Sequence, residues 1–365
     1  MLRISLLATL ALLLGASIAW AQKPTVTFYN WAGYVPAELI KGFEKSSGLK
    51  VAYPTFESNE ILDARLRDGK AEFDVVGPRA APFLAAQVPE GFYQPLDRGK
   101  LAHYGNLDPV ILKLLEKYDP GNLHAVPWMW GTIGIGYNVE RMKRLLSDMP
   151  PDTLRLIFDP QIVSKFKDCG VMVLDSPAEM IPAALLYLGL DPDSKSEADL
   201  IKAVDAIKAV RPFIRKFASS DFVNQLNQGA ICLAFGYSGD IHEARQRSDQ
   251  AKGRGRITIG YVVPKEGALV WIDTLAIPAN APNADSAYKL IDYLLDAKVA
   301  AASANQLRYA SGNAAARPFL DAGLSGDAGL YPPSDVMAKL YTVSPAERRY
   351  QLQRQKLWNG IKGNK

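Results

Sequence analysis

The sequence predicts an α/β protein built from two domains, and three observations carry that expectation. Strand-like and helix-like stretches alternate in a βαβαβ rhythm over residues 25–76, which calls for a parallel, right-handed, doubly wound sheet. A second α/β unit runs from Val171 to Phe235. At 365 residues the chain is long enough to bury two cores.

The elements follow from local chemistry. Thr25 to Trp31 is rich in β-branched and aromatic residues and runs into Ala32-Gly33, as a strand ending in a turn does. Pro36 suits the first turn of a helix that reaches about Lys45 and is closed by Gly48. Leu49 to Phe56 reads as a second strand, Glu57 to Asp68 as a second helix, and Phe73 to Val76 as a third strand ending at Gly77-Pro78. The stretch from Val126 to Asn138 is apolar, aromatic and glycine-rich, and it divides the first α/β unit from the rest of the chain. Beyond it come a strand at Val171–Leu174, helices over Pro177–Leu188 and near Glu197–Lys216, and a strand at Ile231–Phe235. Residues 257–263 and 270–277 read as strands and Ala284–Leu295 as a helix. The last forty residues are expected to form a mixed extension folding back on the body.

The N-terminus predicts export. Arg3, the apolar run Ile4–Leu14 and the small-x-small site Ala19-Trp20-Ala21 make a signal peptide over residues 1–21. The apolar run is too short to span a membrane, and no later stretch reaches about eighteen apolar residues. The formal charge of +4 is dispersed; only the tail from Arg348 to Lys365 concentrates basic residues. That argues against nucleic acid as a partner. The two cysteines, Cys169 and Cys232, fit a single disulfide in an oxidising compartment. The three histidines (His103, His124, His242) show no metal-ligand spacing, so neither a metal nor another cofactor is expected.

Binding chemistry gathers at predicted strand ends. The run Cys232-Leu-Ala-Phe-Gly-Tyr-Ser-Gly-Asp240 ends in a ring, Tyr237, and a carboxylate, Asp240, the pairing that holds an organic cation. Asp240 could equally open a helix through Asp240-Ile-His-Glu243. Asp273 interrupts the apolar strand Val270–Ile277, where burial of a carboxylate is costly unless it is paired. Ser176-Pro-Ala-Glu179 has capping-box spacing, which by itself favours a helix-capping role for Glu179. The aromatics, among them Trp31, Tyr34, Trp271 and Tyr309, mostly lie at strand ends or in loops. No nucleophile motif is present: Gly236-Tyr-Ser-Gly239 is one residue short of Gly-x-Ser-x-Gly. An exported hydrolase using Asp240 and Asp273 as acid and base is the enzyme reading that remains.

Several motifs resemble those of the periplasmic putrescine/spermidine-binding proteins, the solute receptors of ATP-driven polyamine importers. They include Tyr29-Asn-Trp-x-x-Tyr34, Phe73-Asp-Val-Val76, Trp130-Gly-Thr-x-Gly-Ile-Gly-Tyr-Asn138, Gly236-Tyr-Ser-Gly-Asp240, Pro264-Lys-Glu-Gly-Ala268 and Tyr331-Pro-Pro333. The resemblance implies a two-lobed periplasmic-binding-protein fold of type II that closes on its ligand by hinge motion. Residues 22–131 with about 259–305 would form one lobe, and about 132–258 with 306–365 the other. It implies a non-catalytic, monomeric receptor that hands a cationic amine to a membrane permease. Trp31, Tyr34, Tyr237 and Trp271 would sandwich the methylene chain, with Tyr309 as a further wall. Glu179, Asp240 and Asp273 would take the ammonium groups, and Cys169 and Cys232 match a family cysteine pair. For Glu179 the resemblance outweighs the capping reading.

The sequence also departs from the family. Ala32-Gly33 stands where putrescine-type members carry Ser-Asp, and Arg79 stands where they carry a small polar residue. A guanidinium stays charged at neutral pH and repels a diammonium ligand unless an acid neutralises it. Either Arg79 swings out to solvent, or it clamps a carboxylate at one end of an ω-amino acid or γ-glutamylated amine.

Overall fold

A computed structural model describes residues 24–70, 72–147, 149–219, 221–250 and 256–363. The export signal expected over residues 1–21 lies outside them.

Strand β1 (Thr25–Trp31) is the axis of the first α/β unit. It pairs in parallel with β2 (Lys50–Ala52), β3 (Thr55–Phe56) and β4 (Val75–Val76). The single strand expected over 49–56 is thus two short ones, because Pro54 has no N–H to give a ladder. Helix α1 (Ala37–Ser47) ends at Gly48, whose φ of 74° is the left-handed stop that glycine adopts freely. Helix α2 (Asn59–Asp68) starts at Ser58, whose hydroxyl accepts from the Ile61 N–H.

The apolar segment between the units is one long strand, β5 (Ala125–Asn138), buried along nearly its whole length. Its first half pairs antiparallel with the later strand at Val270–Ala276, which in turn pairs with β4. Its second half pairs antiparallel with strands at Leu233–Tyr237 and Ile259–Val262. One strand therefore runs from one sheet into the other. The remaining strands in chain order are β6 (Val171–Val173), β7 (Lys216–Phe217), β8 (Leu233–Tyr237), β9 (Ile259–Val262), β10 (Val270–Ala276) and β11 (Ala310–Ser311). β6 pairs in parallel with β7 and β8. Each sheet is accordingly mixed, parallel at its outer strands and antiparallel around β5.

The longer helices cover these sheets: α3 (Pro177–Tyr187), α4 (Glu197–Val210), α5 (Ser238–Gln250), α6 (Ala284–Leu294), α7 (Ala297–Leu307) and α8 (Arg348–Gly363). α4 is shorter than expected; a 3₁₀ turn containing Pro212 comes after it and leads into β7. Two buried apolar clusters result. One contains Val26, Phe28 and Val75 together with Leu290, Ile291, Leu320 and Leu330. The other contains Val171, Val173, Phe235, Leu200 and Trp358. Trp358 fixes α8 to the body by donating its indole N–H to Asp175 at 2.9 Å. Cys169 and Cys232 form a disulfide with Cα atoms 5.6 Å apart, tying the entry to β6 to the entry to β8.

Candidate functional site

The site is assembled where strands of both sheets end. β1 delivers Trp31, and the turn through Gly33, at a φ of 69°, returns the chain so that the Tyr34 N–H donates to the Trp31 carbonyl at 3.3 Å. β4 leads through Gly77-Pro78 to Arg79. A side chain at position 77 would overlap that of Asn30, so glycine is required there. The Pro78 carbonyl accepts from both the N–H and the hydroxyl of Thr274, which aligns this turn with β10. Along β10, Trp271 and Asp273 are two residues apart and share a face, as strand periodicity demands.

β8 extends to Tyr237, two residues further than the sequence suggested, and α5 begins at the next residue. Asp240 stands in the first turn of α5. Glu179 stands in the first turn of α3, where Ser176 makes no capping hydrogen bond. Its carboxylate instead accepts from the Tyr237 hydroxyl at 3.2 Å. Tyr309 lies just past α7, with its ring edge-on to Trp271 at 5.2 Å.

Trp31, Tyr34, Arg79, Tyr237, Asp240, Trp271, Asp273 and Tyr309 line one cavity of about 280 Å³. Glu179, the ninth residue singled out from the sequence, lines an adjoining cavity of about 340 Å³ that shares Arg79, Tyr237 and Trp271 with the first. Arg354, Gln351 and Ser344 also line this second cavity, and sequence reasoning missed them. Arg354 and Gln351 lie in the basic C-terminal tail, which was their one signal; Ser344 lies before it and had none.

Arg79 faces the cleft. Its backbone forms an antiparallel bridge with Asp273, and its N–H donates to the Asn59 side chain at 3.0 Å. Its Nε lies 3.3 Å from Asp273 Oδ1, and its guanidinium lies over the rings of Trp271 (5.4 Å) and Tyr237 (5.9 Å). The other carboxylate oxygen of Asp273 accepts from the Tyr34 hydroxyl at 2.5 Å. Asp273 is therefore satisfied within the protein.

Asp240 and Glu179 are different. Burial, with Glu243 adding repulsion, pushes the Asp240 carboxyl up to about 6, although Arg79 pulls the other way. Burial likewise raises Glu179, against the lowering influence of Tyr237 and Arg79. For Arg79, burial works against the charge, but Asp273 and the neighbouring tyrosines outweigh it and hold the group above its ordinary value. Glu179 Oε2 and the indole nitrogens of Trp31 and Trp271 are buried without a protein hydrogen bond, orphans of the kind that a ligand or water satisfies. Carboxylates with raised pKa among aromatic faces form a place for a cation. Among the described residues, no group of three or more His, Cys, Asp or Glu side chains could hold a metal ion.

Two α/β lobes joined by a shared strand, with an acidic and aromatic cleft between them, define a type II periplasmic binding protein. The chain belongs to the bacterial extracellular solute-binding protein family, which matches residues 38–328. It is 40% identical over 361 residues to a putrescine-binding periplasmic protein of Pseudomonas aeruginosa, covering 98% of each chain. It is 41% identical over 347 residues to the putrescine-binding periplasmic protein of Escherichia coli, covering 94% of this chain and 93% of that one. Among solved structures, it resembles the spermidine/putrescine substrate-binding protein of Streptococcus pneumoniae with a TM-score of 0.83 and 26% identity, covering 93% of this chain and 99% of that one. Family membership makes it a periplasmic, non-catalytic receptor that partners with a membrane permease. No helix of the described residues is long and apolar enough to cross a membrane.

Proposed function

We propose that the protein captures an alkylamine of the polyamine class in the cleft between its lobes and delivers it to the permease of an ATP-driven importer. The carrying observation is Asp240: a substantially buried carboxylate, raised in pKa, in a chamber walled by Trp31, Tyr34, Trp271 and Tyr309. An ammonium there gains the carboxylate's charge in a low dielectric, and each aromatic face adds about 0.5–2 kcal/mol. The ligands in the names of the two relatives support the same reading.

Binding needs no chemistry on the ligand. Arg79 and Asp273 come from the lobe built on β1, and Tyr237, Asp240 and Glu179 from the lobe built on β6 and β8. Closing the lobes brings the aromatic walls and free acids around one cation, which gives the closed state its higher affinity. We place the first lobe at about 22–131 with about 269–330, and the second at about 132–268 with about 331–365. The pairing of β9 with the second half of β5 supports assigning 259–262 to the second lobe. The packing of Leu320 and Leu330 with Val26 supports assigning 306–330 to the first. We further propose that residues 1–21 are a signal peptide removed on export and that the receptor works as a monomer.

Calorimetric titration with putrescine, cadaverine, spermidine and γ-glutamylputrescine tests the reading. At least one is expected to bind well below millimolar concentration; if none does, the receptor assignment for this ligand class fails.

A further inference from the structure

The charge of the cleft changes from one chamber to the next, with Arg79 standing between them. In the aromatic chamber both oxygens of Asp273 are occupied, one by Arg79 Nε and one by the Tyr34 hydroxyl. Asp240 is the carboxylate left for a ligand's ammonium. The adjoining chamber is lined by two guanidiniums, Arg79 and Arg354, and by one carboxylate, Glu179. The ion pair with Asp273 engages Arg79 through Nε, so the terminal fork of the guanidinium is not used by it. Arg354 Nε is buried without a hydrogen-bond partner, and so is Glu179 Oε2. Over the whole cleft, three carboxylates against two guanidiniums leave one net negative charge, half of what a diammonium ligand would neutralise.

We propose that the ligand is an alkylamine carrying a carboxylate at its far end, with the ammonium on Asp240 and the carboxylate on Arg79 and Arg354. The proposal rests on the solute-receptor reading above and replaces the plain polyamine with an amine that also bears a carboxylate. A guanidinium's planar fork matches a carboxylate bidentately, which the small polar residue expected at position 79 cannot do. The strand bridge to Asp273 and the bond to Asn59 hold the Arg79 backbone in place, so this cation is part of the cleft's framework. Glu179 suits an amino group beside that carboxylate. The same site therefore serves a simple ω-amino acid or an amine capped by a γ-glutamyl head.

The test is calorimetry of the wild type, Arg79→Ser and Arg354→Gln with putrescine, 4-aminobutyrate and γ-glutamylputrescine, with folding checked by thermal melting. The wild type is expected to bind at least one carboxylate-bearing amine about tenfold or more tightly than putrescine. Arg79→Ser should reverse that order. Arg354→Gln, which lies outside the Arg79–Asp273 pair, should weaken the carboxylate-bearing ligand about tenfold while putrescine binds as well as before or better. Tighter binding by γ-glutamylputrescine than by 4-aminobutyrate identifies an amino-acid head, and the reverse order a plain ω-carboxylate. A wild type that prefers putrescine, or an Arg79→Ser variant with unchanged preference, overturns the proposal while leaving the amine receptor intact. Absence of binding by every amine, with or without a carboxylate, removes the amine-receptor reading on which the proposal rests.

Discussion

Arg79 and Asp273 face each other across an antiparallel bridge, with the guanidinium Nε 3.3 Å from the carboxylate. They are 194 positions apart in sequence, and the register of β4 and β10 brings them together. Asp273 is 4% exposed, so Arg79 and Tyr34 take the place of the water its carboxylate has lost. Asp273→Asn keeps the shape and the Tyr34 contact but leaves Arg79 without its counter-charge. The expected cost is about 2 kcal/mol in urea unfolding, below the roughly 3–5 kcal/mol of a fully buried pair, because the Arg79 side chain is 32% exposed and Asp240 and Glu179 lie near enough to compensate in part. Adding Arg79→Ser should restore most of that loss. A double variant no more stable than Asp273→Asn would mean that the pair is energetically idle.

The free carboxylates set a pH dependence with a definite sign. The Asp240 carboxyl is raised from 3.8 to about 6, chiefly by burial. The unfolded chain therefore releases this proton at lower pH than the folded one, and stability attributable to Asp240 falls as pH rises from about 4 to about 6, then levels off. With a discount for partial exposure, the loss amounts to about 2 kcal/mol. Amine binding runs the other way, since an ammonium pairs with the ionised form. Affinity should drop by up to about tenfold per unit below pH 6 and be nearly flat above it. Titrations from pH 5 to pH 8 check this; a flat profile in the wild type, or an unchanged one in Asp240→Asn, would rule out Asp240 as the group responsible.

Much of this site could be read from residue types at strand ends, and the reasons for the rest are physical. Trp31, Tyr237 and Asp240 stood out because rings and acids are conspicuous where apolar strands stop, and Asp273 because a carboxylate interrupts an otherwise apolar strand. The βαβαβ rhythm gave the parallel order of β1 to β4 for the same reason. β5 was harder: it is buried on both faces, so it lacks the period-two alternation that marks a half-exposed strand. The orientation of Arg79 depends on a pairing between distant strands, which local sequence does not contain. Glu179 was ambiguous because capping-box spacing and a ligand-facing acid look alike until Ser176 is found making no cap. Arg354 was hidden among the basic residues of α8, where a charge run ordinarily means a solvated face.

The disulfide should govern stability more than binding. It joins positions 63 residues apart, and in the chain-entropy model closing such a loop contributes about 4 kcal/mol. Reduction, or Cys169→Ser with Cys232→Ser, is expected to lower the unfolding free energy by about that amount. Ligand affinity at 25 °C should change little, because the parallel pairing of Val171 with Leu233 continues to set the position of β8. Equal melting temperatures with and without reductant would contradict the first expectation. A large loss of affinity in a still-folded reduced protein would contradict the second.

Gly239 offers a way to open the aromatic chamber without touching a charge. It lies in the first turn of α5, and a Cβ there would overlap the ring of Tyr309. The ring can yield by swinging away, which would separate it from Trp271 and remove one wall from the chamber around Asp240. Alanine is also the better helix former, by about 1 kcal/mol, which offsets the local crowding. Gly239→Ala should therefore have a melting temperature close to that of the wild type yet bind its amine about three- to thirtyfold more weakly, the worth of one cation–aromatic contact. Tyr309→Ala should lose a similar factor, and the two substitutions together should lose little more than either alone. Additive losses in the double variant would show that Gly239 acts on the site by some route other than the Tyr309 ring.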